Sequence, residues 1–167
     1  LGSPTAASAQ VYRGKVVDAE TGEPLEGAVF VIVWETKAAI SMNGSRSFHS
    51  AKEALTDAKG EFAVDGSPGI DWNPFTYVVK NPRIAILLPG YGPYPVGHAQ
   101  ETPVDVLERA MTDAGALIKL PKLKTQQEMR RYISPVNLFI SSGTPDEKIP
   151  NPIKLIKIQT KISGMTA

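Results

Sequence analysis

Cysteine is absent from the 167-residue chain, and histidine occurs only twice, as His49 and His98. The lack of cysteine excludes disulfides, thiolate nucleophiles, thiolate zinc sites, iron–sulfur clusters and c-type haem attachment. Two isolated histidines exclude a histidine-rich metal centre, and no nucleophile–base pair or pair of acids stands out by spacing. We therefore expect a protein that is not an enzyme, with no catalytic residues, no metal site and no cofactor.

Long apolar runs are also missing, since no run reaches the roughly 18 residues that cross a bilayer. The net charge is only +1, but its distribution is uneven. Residues 1–114 carry 9 basic and 14 acidic side chains, whereas residues 115–167 carry 9 basic and 3 acidic ones. This split favours a basic tail that docks on an acidic body, its own or a neighbour's, over phosphate binding. We expect a protein partner, no nucleic acid and no membrane span.

The first ten residues have the composition of a processed or flexible terminus. Ala7-Ser8-Ala9 before Gln10 has the small-x-small form of a signal-peptidase site. We therefore predict that residues 1–10 are a flexible N-terminus or a signal-peptide remnant. The protein is expected to be exported to the cell surface or the extracellular space, with the periplasm as an alternative.

Residues 11–121 alternate short apolar or β-branched segments with turn signals, which is typical of a β-sandwich. A loop over 66–80 is expected to fold its aromatic side chains back over one end of the core, Ser41–Ser50 to form a polar excursion, and Asp57–Gly60 to make a tight hairpin turn. A short helix is predicted between Thr102 and Gly115. The predicted strands are Val11–Val17, Ala28–Trp34, Ala51–Thr56, Glu61–Val64, Pro82–Leu88 and Ala116–Leu120.

Residues 122–167 form a basic C-terminal extension. Leu123, Met129 and Ile133 have helical spacing, and a proline-rich linker follows over 134–152. Residues 153–162 fit a helix that Pro152 would begin, or a strand with one bulge, and both readings remain open. The extension is predicted to be a docking or assembly arm, in cis or in trans, whose apolar residues must be buried somewhere. These residues are Leu138, Phe139, Ile149, Ile153, Ile156 and Ile162.

Three motifs, in order along the chain, give residues 11–121 a family resemblance. They are Gly14-Lys-Val-Val-Asp-Ala-Glu-Thr-Gly-Glu-Pro-Leu-Glu-Gly-Ala28, Leu55-Thr-Asp-Ala-Lys-Gly-Glu-Phe62 and Pro89-Gly-Tyr91. Together they resemble the carboxypeptidase regulatory-like domains, and the segment from Trp72 onward is similar to a secreted bacterial branch of uncharacterised activity. The resemblance implies a seven-stranded transthyretin-like (prealbumin-like), Ig-like sandwich without the catalytic carboxypeptidase domain. Fold alone does not assign a function.

Three patterns that could carry chemistry have plainer structural readings. Tyr12-Arg13-Gly14 matches part of a motif of transthyretin-like hydrolases, but it falls inside the first predicted strand. Asp57 and Glu61 could bind calcium, but two acids fit a turn better. A Lys15–Asn137 cross-link can be imagined, but a solvated lysine is expected.

The candidate ligand or partner surface consists of aromatic residues on either side of the Pro82–Leu88 strand. Such side chains stack on sugar rings, contact a protein partner, or simply cap the core. We predict a non-enzymatic extracellular structural or interaction module, with head-to-tail self-assembly into a filament or ring through the extension as its sharpest version. The alternative is a polysaccharide-binding accessory domain. The aromatic residues are Trp72, Phe75, Tyr77, Tyr91 and Tyr94.

Overall fold

A computed structural model describes residues 10–40, 44–94, 106, 109–110, 114–132 and 143–164. The strands are β1 (Val11–Asp18), β2 (Val29–Ala38), β3 (Arg46–Leu55), β4 (Glu61–Asp65), β5 (Thr76–Val78), β6 (Arg83–Leu87) and β7 (Ala116–Leu120). In sheet A, strand β1 lies between β4 and β7; in sheet B, β2 pairs with β3 on one side and with β5 and β6 on the other. The prediction of a mainly β protein with two packed sheets is confirmed.

Strand β2 is buried on both faces, and this explains its continuous apolar sequence. Phe30 and Ile32 lie in the core between the two sheets, where Phe30 stacks on Phe62 of sheet A. Val31 and Val33 belong to a second apolar cluster on the opposite face of sheet B. A strand that is covered on one face only would alternate apolar and polar residues.

The second cover of sheet B is the C-terminal helix, Pro150–Ile162, which makes a third layer. A 3₁₀ turn, Asp146–Lys148, leads into it. The helix packs on the outer face of the sheet next to Ile149, which is fully buried. Its first turn is anchored by the Glu53 carboxylate of β3, which accepts hydrogen bonds from the Asn151 backbone N–H (3.2 Å) and side-chain amide. The open question over 153–162 is thus settled in favour of the helix.

A second helical segment, the basic helix (residues 126–132), follows β7. Thr125 and Glu128 cap its N-terminus: the Thr125 hydroxyl accepts the Glu128 N–H (3.2 Å), and the Glu128 carboxylate accepts the Thr125 N–H (3.0 Å). At the other end, Arg130 donates to the Ser163 carbonyl (3.1 Å), so the two helices are connected. Ile133 and residues 134–142 of the predicted linker lie outside the described residues, and the C-terminal helix begins inside the predicted linker, at Pro150.

The Asp57–Gly60 turn is not a hairpin turn, and the predicted meander is wrong at this point. β3 pairs with β2 in sheet B, whereas β4 pairs with β1 in sheet A, so the turn crosses from one sheet to the other. Its local chemistry is that of a tight turn, with a 2.8 Å bond from the Gly60 N–H to the Asp57 carbonyl. A short turn motif does not say which strands its flanks will pair with.

The predictions for Ser41–Ser50 and for the helix between Thr102 and Gly115 can be compared with the structure only in part. β3 starts at Arg46, so a part of Ser41–Ser50 is strand; its polar residues suit the half-exposed outer strand of sheet B. In the predicted helix between 102 and 115, residues 106 and 109–110 are helical, and Ala110 is buried in the core. Residues 41–43 and the rest of that helix lie outside the described residues.

Residues of the three motifs behind the family resemblance are connected by hydrogen bonds at one end of the sandwich. The Asp18 carboxylate accepts the N–H groups of Glu20 (2.7 Å) and Thr21 (3.1 Å) and the Tyr91 hydroxyl (3.1 Å). The backbone N–H groups, Thr21 first, hold the pKa of Asp18 below its ordinary value. The Thr56 hydroxyl, in the second motif, donates to the Leu25 carbonyl (2.6 Å). These motif residues therefore close one end of the sandwich.

Candidate binding surface

At the opposite end of the sandwich, large apolar side chains project into solvent. Trp72 is 85% exposed, Phe75 72% and Tyr77 52%, so the prediction that the loop aromatics fold back over the core is wrong. Ile40 and Ile70, 94% and 69% exposed, belong to the same region. We call these five residues the aromatic surface.

The pairing of β5 with the end of β2 positions the aromatic surface at this end of sheet B. Tyr77 lies opposite Lys37 in the ladder, and the Ala39 N–H donates to the Phe75 carbonyl (2.7 Å), which brings Ile40 next to the aromatic loop. This pairing holds residues 76–78 along the edge of sheet B, so the aromatic loop does not fold over the end of the core. Three strand residues, Thr76–Val78, were not recognisable in a loop rich in glycine and proline.

The loop that carries Trp72 and Phe75 is braced by its own side chains. Asp71 accepts the Asn73 N–H (3.0 Å) and the Thr76 hydroxyl (2.6 Å), and Asn73 accepts the Phe75 N–H (3.0 Å). The Thr76 hydroxyl bond, then the Asn73 N–H, lowers the pKa of Asp71, so the carboxylate stays ionised at neutral pH. Two successive Asx turns thus fix the backbone while its aromatic side chains face outward.

Tyr91 and Tyr94 do not join the aromatic surface. Both are half-buried and pack against the core, and Tyr91 bonds to Asp18 at the other end of the sandwich. The Tyr94 backbone is bonded in both directions to Ile86 of β6 (2.8 and 2.9 Å). The structure therefore brings together Trp72, Phe75 and Tyr77, and it gives Tyr91 and Tyr94 a structural position.

The predicted docking arm is packed on its own sandwich. Ile149, Ile153 and Ile156 contact the outer cluster of sheet B, whereas Ile162 is 43% exposed at the end of the helix. Leu138 and Phe139 lie outside the described residues. Docking in cis is the arrangement of this chain.

A small cleft lies where the C-terminal helix meets the Pro89–Tyr91 segment. Its volume is about 30 Å³, which suits a water molecule rather than an organic ligand. The Gln159 side chain accepts the Gly90 N–H there (2.8 Å), and its buried Nε2 has no hydrogen-bond partner in the structure. The cleft joins the helix to the loop and offers little room for chemistry.

The remaining candidate residues that the structure describes lie in strands or turns. Tyr12 is buried within β1, and the Asp57 carboxylate accepts the backbone N–H groups of Lys59 and Glu61 (both 2.9 Å) inside the turn. His49 is half-buried on β3, and His98 lies outside the described residues. Within the described ranges, no group of three or more histidine, aspartate or glutamate side chains could hold a metal ion.

A charged cluster separates the C-terminal helix from the aromatic surface on sheet B. Glu35, largely buried, pairs with Arg83 (3.1 Å) and Arg46 (3.4 Å). Because both arginines come from neighbouring strands, the cluster ties β2 to β3 and β6 just beyond the apolar cluster under the helix. The aromatic surface begins past this point, without cover from the helix.

Comparisons with models of known families, with curated proteins and with solved structures returned no match for this chain. In the part of the chain that the structure describes, no helix combines the length and apolar character that crossing a membrane requires. The family resemblance therefore stays a prediction, and any functional proposal must be based on the surface itself.

Proposed function

We propose that the protein is a non-enzymatic extracellular interaction module that binds a protein partner through the aromatic surface. The observation that carries this proposal is the combination of a braced loop with solvent-facing aromatic side chains. Exposure of Trp72 and Phe75 leaves apolar surface in contact with water, which is typical of binding sites. The bracing lowers the conformational entropy of the free loop, so less entropy is lost when a partner binds. Both features favour binding. The signal-peptidase-like motif supports an exported location.

A protein partner is favoured over a polysaccharide by the neighbours of the aromatic residues. Sugar sites place flat rings beside polar groups that are free to bond hydroxyls. Here the oxygens of Asp71 and Asn73 already accept bonds inside the loop, and the strongly exposed Ile40 and Ile70 are aliphatic. Mixed aromatic and aliphatic contact area is typical of the centre of a protein–protein interface.

We expect the double variant Trp72→Ala, Phe75→Ala to lose partner binding without losing stability. Interface aromatic residues often contribute about 2 kcal/mol or more each to binding, whereas exposed side chains contribute about 0.5 kcal/mol or less to folding. The measurement is photo-crosslinking in the producing cells, with a photoreactive amino acid at Tyr77. The products are sized and identified by mass spectrometry, and the melting temperature of each variant is recorded.

The matched control carries the photoreactive amino acid at Ala63, an exposed position in the middle of β4 on sheet A. A discrete protein adduct from position 77, absent from position 63 and lost in the double variant, would support the proposal. Equal labelling from both positions, or an adduct that survives the double variant, would refute it. A glycan adduct at position 77 would instead support the polysaccharide-binding alternative.

A further inference from the structure

The exposed face of the C-terminal helix carries a row of three lysine side chains. Its residues have the i, i+3, i+4, i+7, i+8 spacing of a single helical face. Ile158 and Ile162, 39% and 43% exposed, lie among the lysines. We call this face the lysine face; its members are Lys154, Lys157, Ile158, Lys161 and Ile162.

Among the described residues, the lysine face has no ion-pair partner. None of its three lysines pairs with a carboxylate there, whereas Lys124 of the extension pairs with Glu20 (2.7 Å). The helix itself contains no acidic residue. The helix thus packs on sheet B through its apolar side chains, and within the described residues its three exposed lysines make no ion pair with the body.

Exposed carboxylates that make no ion pair with another described residue lie at the closed end of the sandwich. Glu23 and Glu26 are in the β1–β2 loop, and Glu61 follows the β3–β4 turn. The Gly27 N–H donates to the Thr56 carbonyl (3.0 Å), which holds the loop and the turn side by side. Leu55, 52% exposed, adds an aliphatic contact there. Lys59 and Lys15, which lies opposite Glu61 in the β1–β4 ladder, offset part of the negative charge. We call Glu23, Glu26, Leu55 and Glu61 the acidic end.

We infer that the lysine face binds the acidic end of a second copy of this chain. Each surface combines an excess of charge of one sign with exposed aliphatic side chains, and the two are different surfaces of the same molecule. The contact is therefore heterologous, and it closes into a ring or continues as a filament according to its rotation. It leaves the aromatic surface free, so this inference is independent of the proposed function.

The test is a charge exchange read by light scattering and sedimentation velocity over a concentration series. The face variant is Lys154→Glu, Lys157→Glu; the end variant is Glu23→Lys, Glu26→Lys. We expect wild-type association to weaken between low and high salt, and each variant to associate about tenfold or more weakly. Mixing the two variants should restore association, because each supplies the charge that the other has lost.

Three results would overturn the inference. One is a wild-type mass of 18.0 kDa at every concentration in low salt. Another is association that persists unchanged in both variants, and the third is a mixture that stays monomeric although each variant melts within a few degrees of wild type. The Trp72→Ala, Phe75→Ala variant should associate like wild type; if it does not, self-association uses the aromatic surface instead.

Discussion

Deleting residues 143–167 is expected to leave a chain that no longer unfolds in a cooperative transition and that aggregates. The deletion uncovers Val31, Val33 and Leu87 on sheet B and removes Ile149 and Ile156, which pack on them. Each such side chain contributes about 1.5–3 kcal/mol when buried, so the combined loss is comparable with the roughly 5–15 kcal/mol that stabilise a whole domain. Thermal and urea unfolding followed by circular dichroism measure the effect.

A pair of single substitutions separates packing from chain length. Ile149→Ala, at a fully buried position, should cost about 2–5 kcal/mol of unfolding free energy, whereas Ile162→Ala, at a 43% exposed position, should cost under about 1 kcal/mol. Similar effects at both positions, or a truncated chain as stable as the full one, would mean that the helix does not cover sheet B. The arm would then be free to act in trans.

Gly60→Ala is expected to destabilise the protein by about 3 kcal/mol or more. Gly60 has φ +73°, and a Cβ built there would lie 2.4 Å from the Val16 carbonyl oxygen. The backbone cannot easily move away, because the Val16 N–H donates to the Gly60 carbonyl (2.8 Å) and the Val16 carbonyl accepts the Leu25 N–H (3.0 Å). The urea midpoint of unfolding measures the change.

Gly22→Ala is the matched control for this clash. Gly22 has a similar φ of +75°, but a Cβ there would meet no atom within 4 Å. The expected cost is therefore the backbone term alone, about 1–2 kcal/mol. Equal effects at Gly22 and Gly60 would show that the β3–β4 crossing is looser than the structure indicates.

Much of the sandwich was readable from the sequence because its strands are short, β-branched and bounded by turn signals. β1, β2, β6 and β7 were predicted to within a few residues. The β3–β4 crossing is not predictable from its turn motif, because Asp57 and Gly60 specify a tight bend but not the sheet in which each flank pairs. β5 is not predictable from its own three residues, because its pairing with the end of β2 is a long-range contact.

The sequence of β2 also contains a signal for the role of the extension. The unbroken apolar run from Ala28 to Trp34 requires cover on both faces of its strand. A two-sheet sandwich supplies one cover, so a third layer was implied, and the C-terminal helix provides it. The lysine face could likewise be read from Lys154, Lys157 and Lys161 once the segment is known to be helical.

The aromatic surface could be predicted only in part. Aromatic residues in a loop either cap a core or face solvent, and composition does not distinguish the two. Asp71 and Asn73, each two residues before an N–H that it binds, carry the signal that the loop builds its own bracing. Local sequence does not distinguish Tyr91 from the exposed aromatic residues, because its hydrogen-bond partner, Asp18, lies 73 residues away.

Tryptophan quenching tests the central claim, an exposed aromatic surface on a braced loop, most directly. The chain has two tryptophans: Trp34, 3% exposed in the core, and Trp72, 85% exposed in the loop. Iodide should therefore quench one of the two emitting populations and leave the other protected, and Trp72→Phe should remove the quenchable one. The anisotropy decay of the quenchable population should lack large, fast loop motion. Protection of both tryptophans from iodide would contradict the account, because Trp72 would then be folded against the sandwich and no free surface would exist.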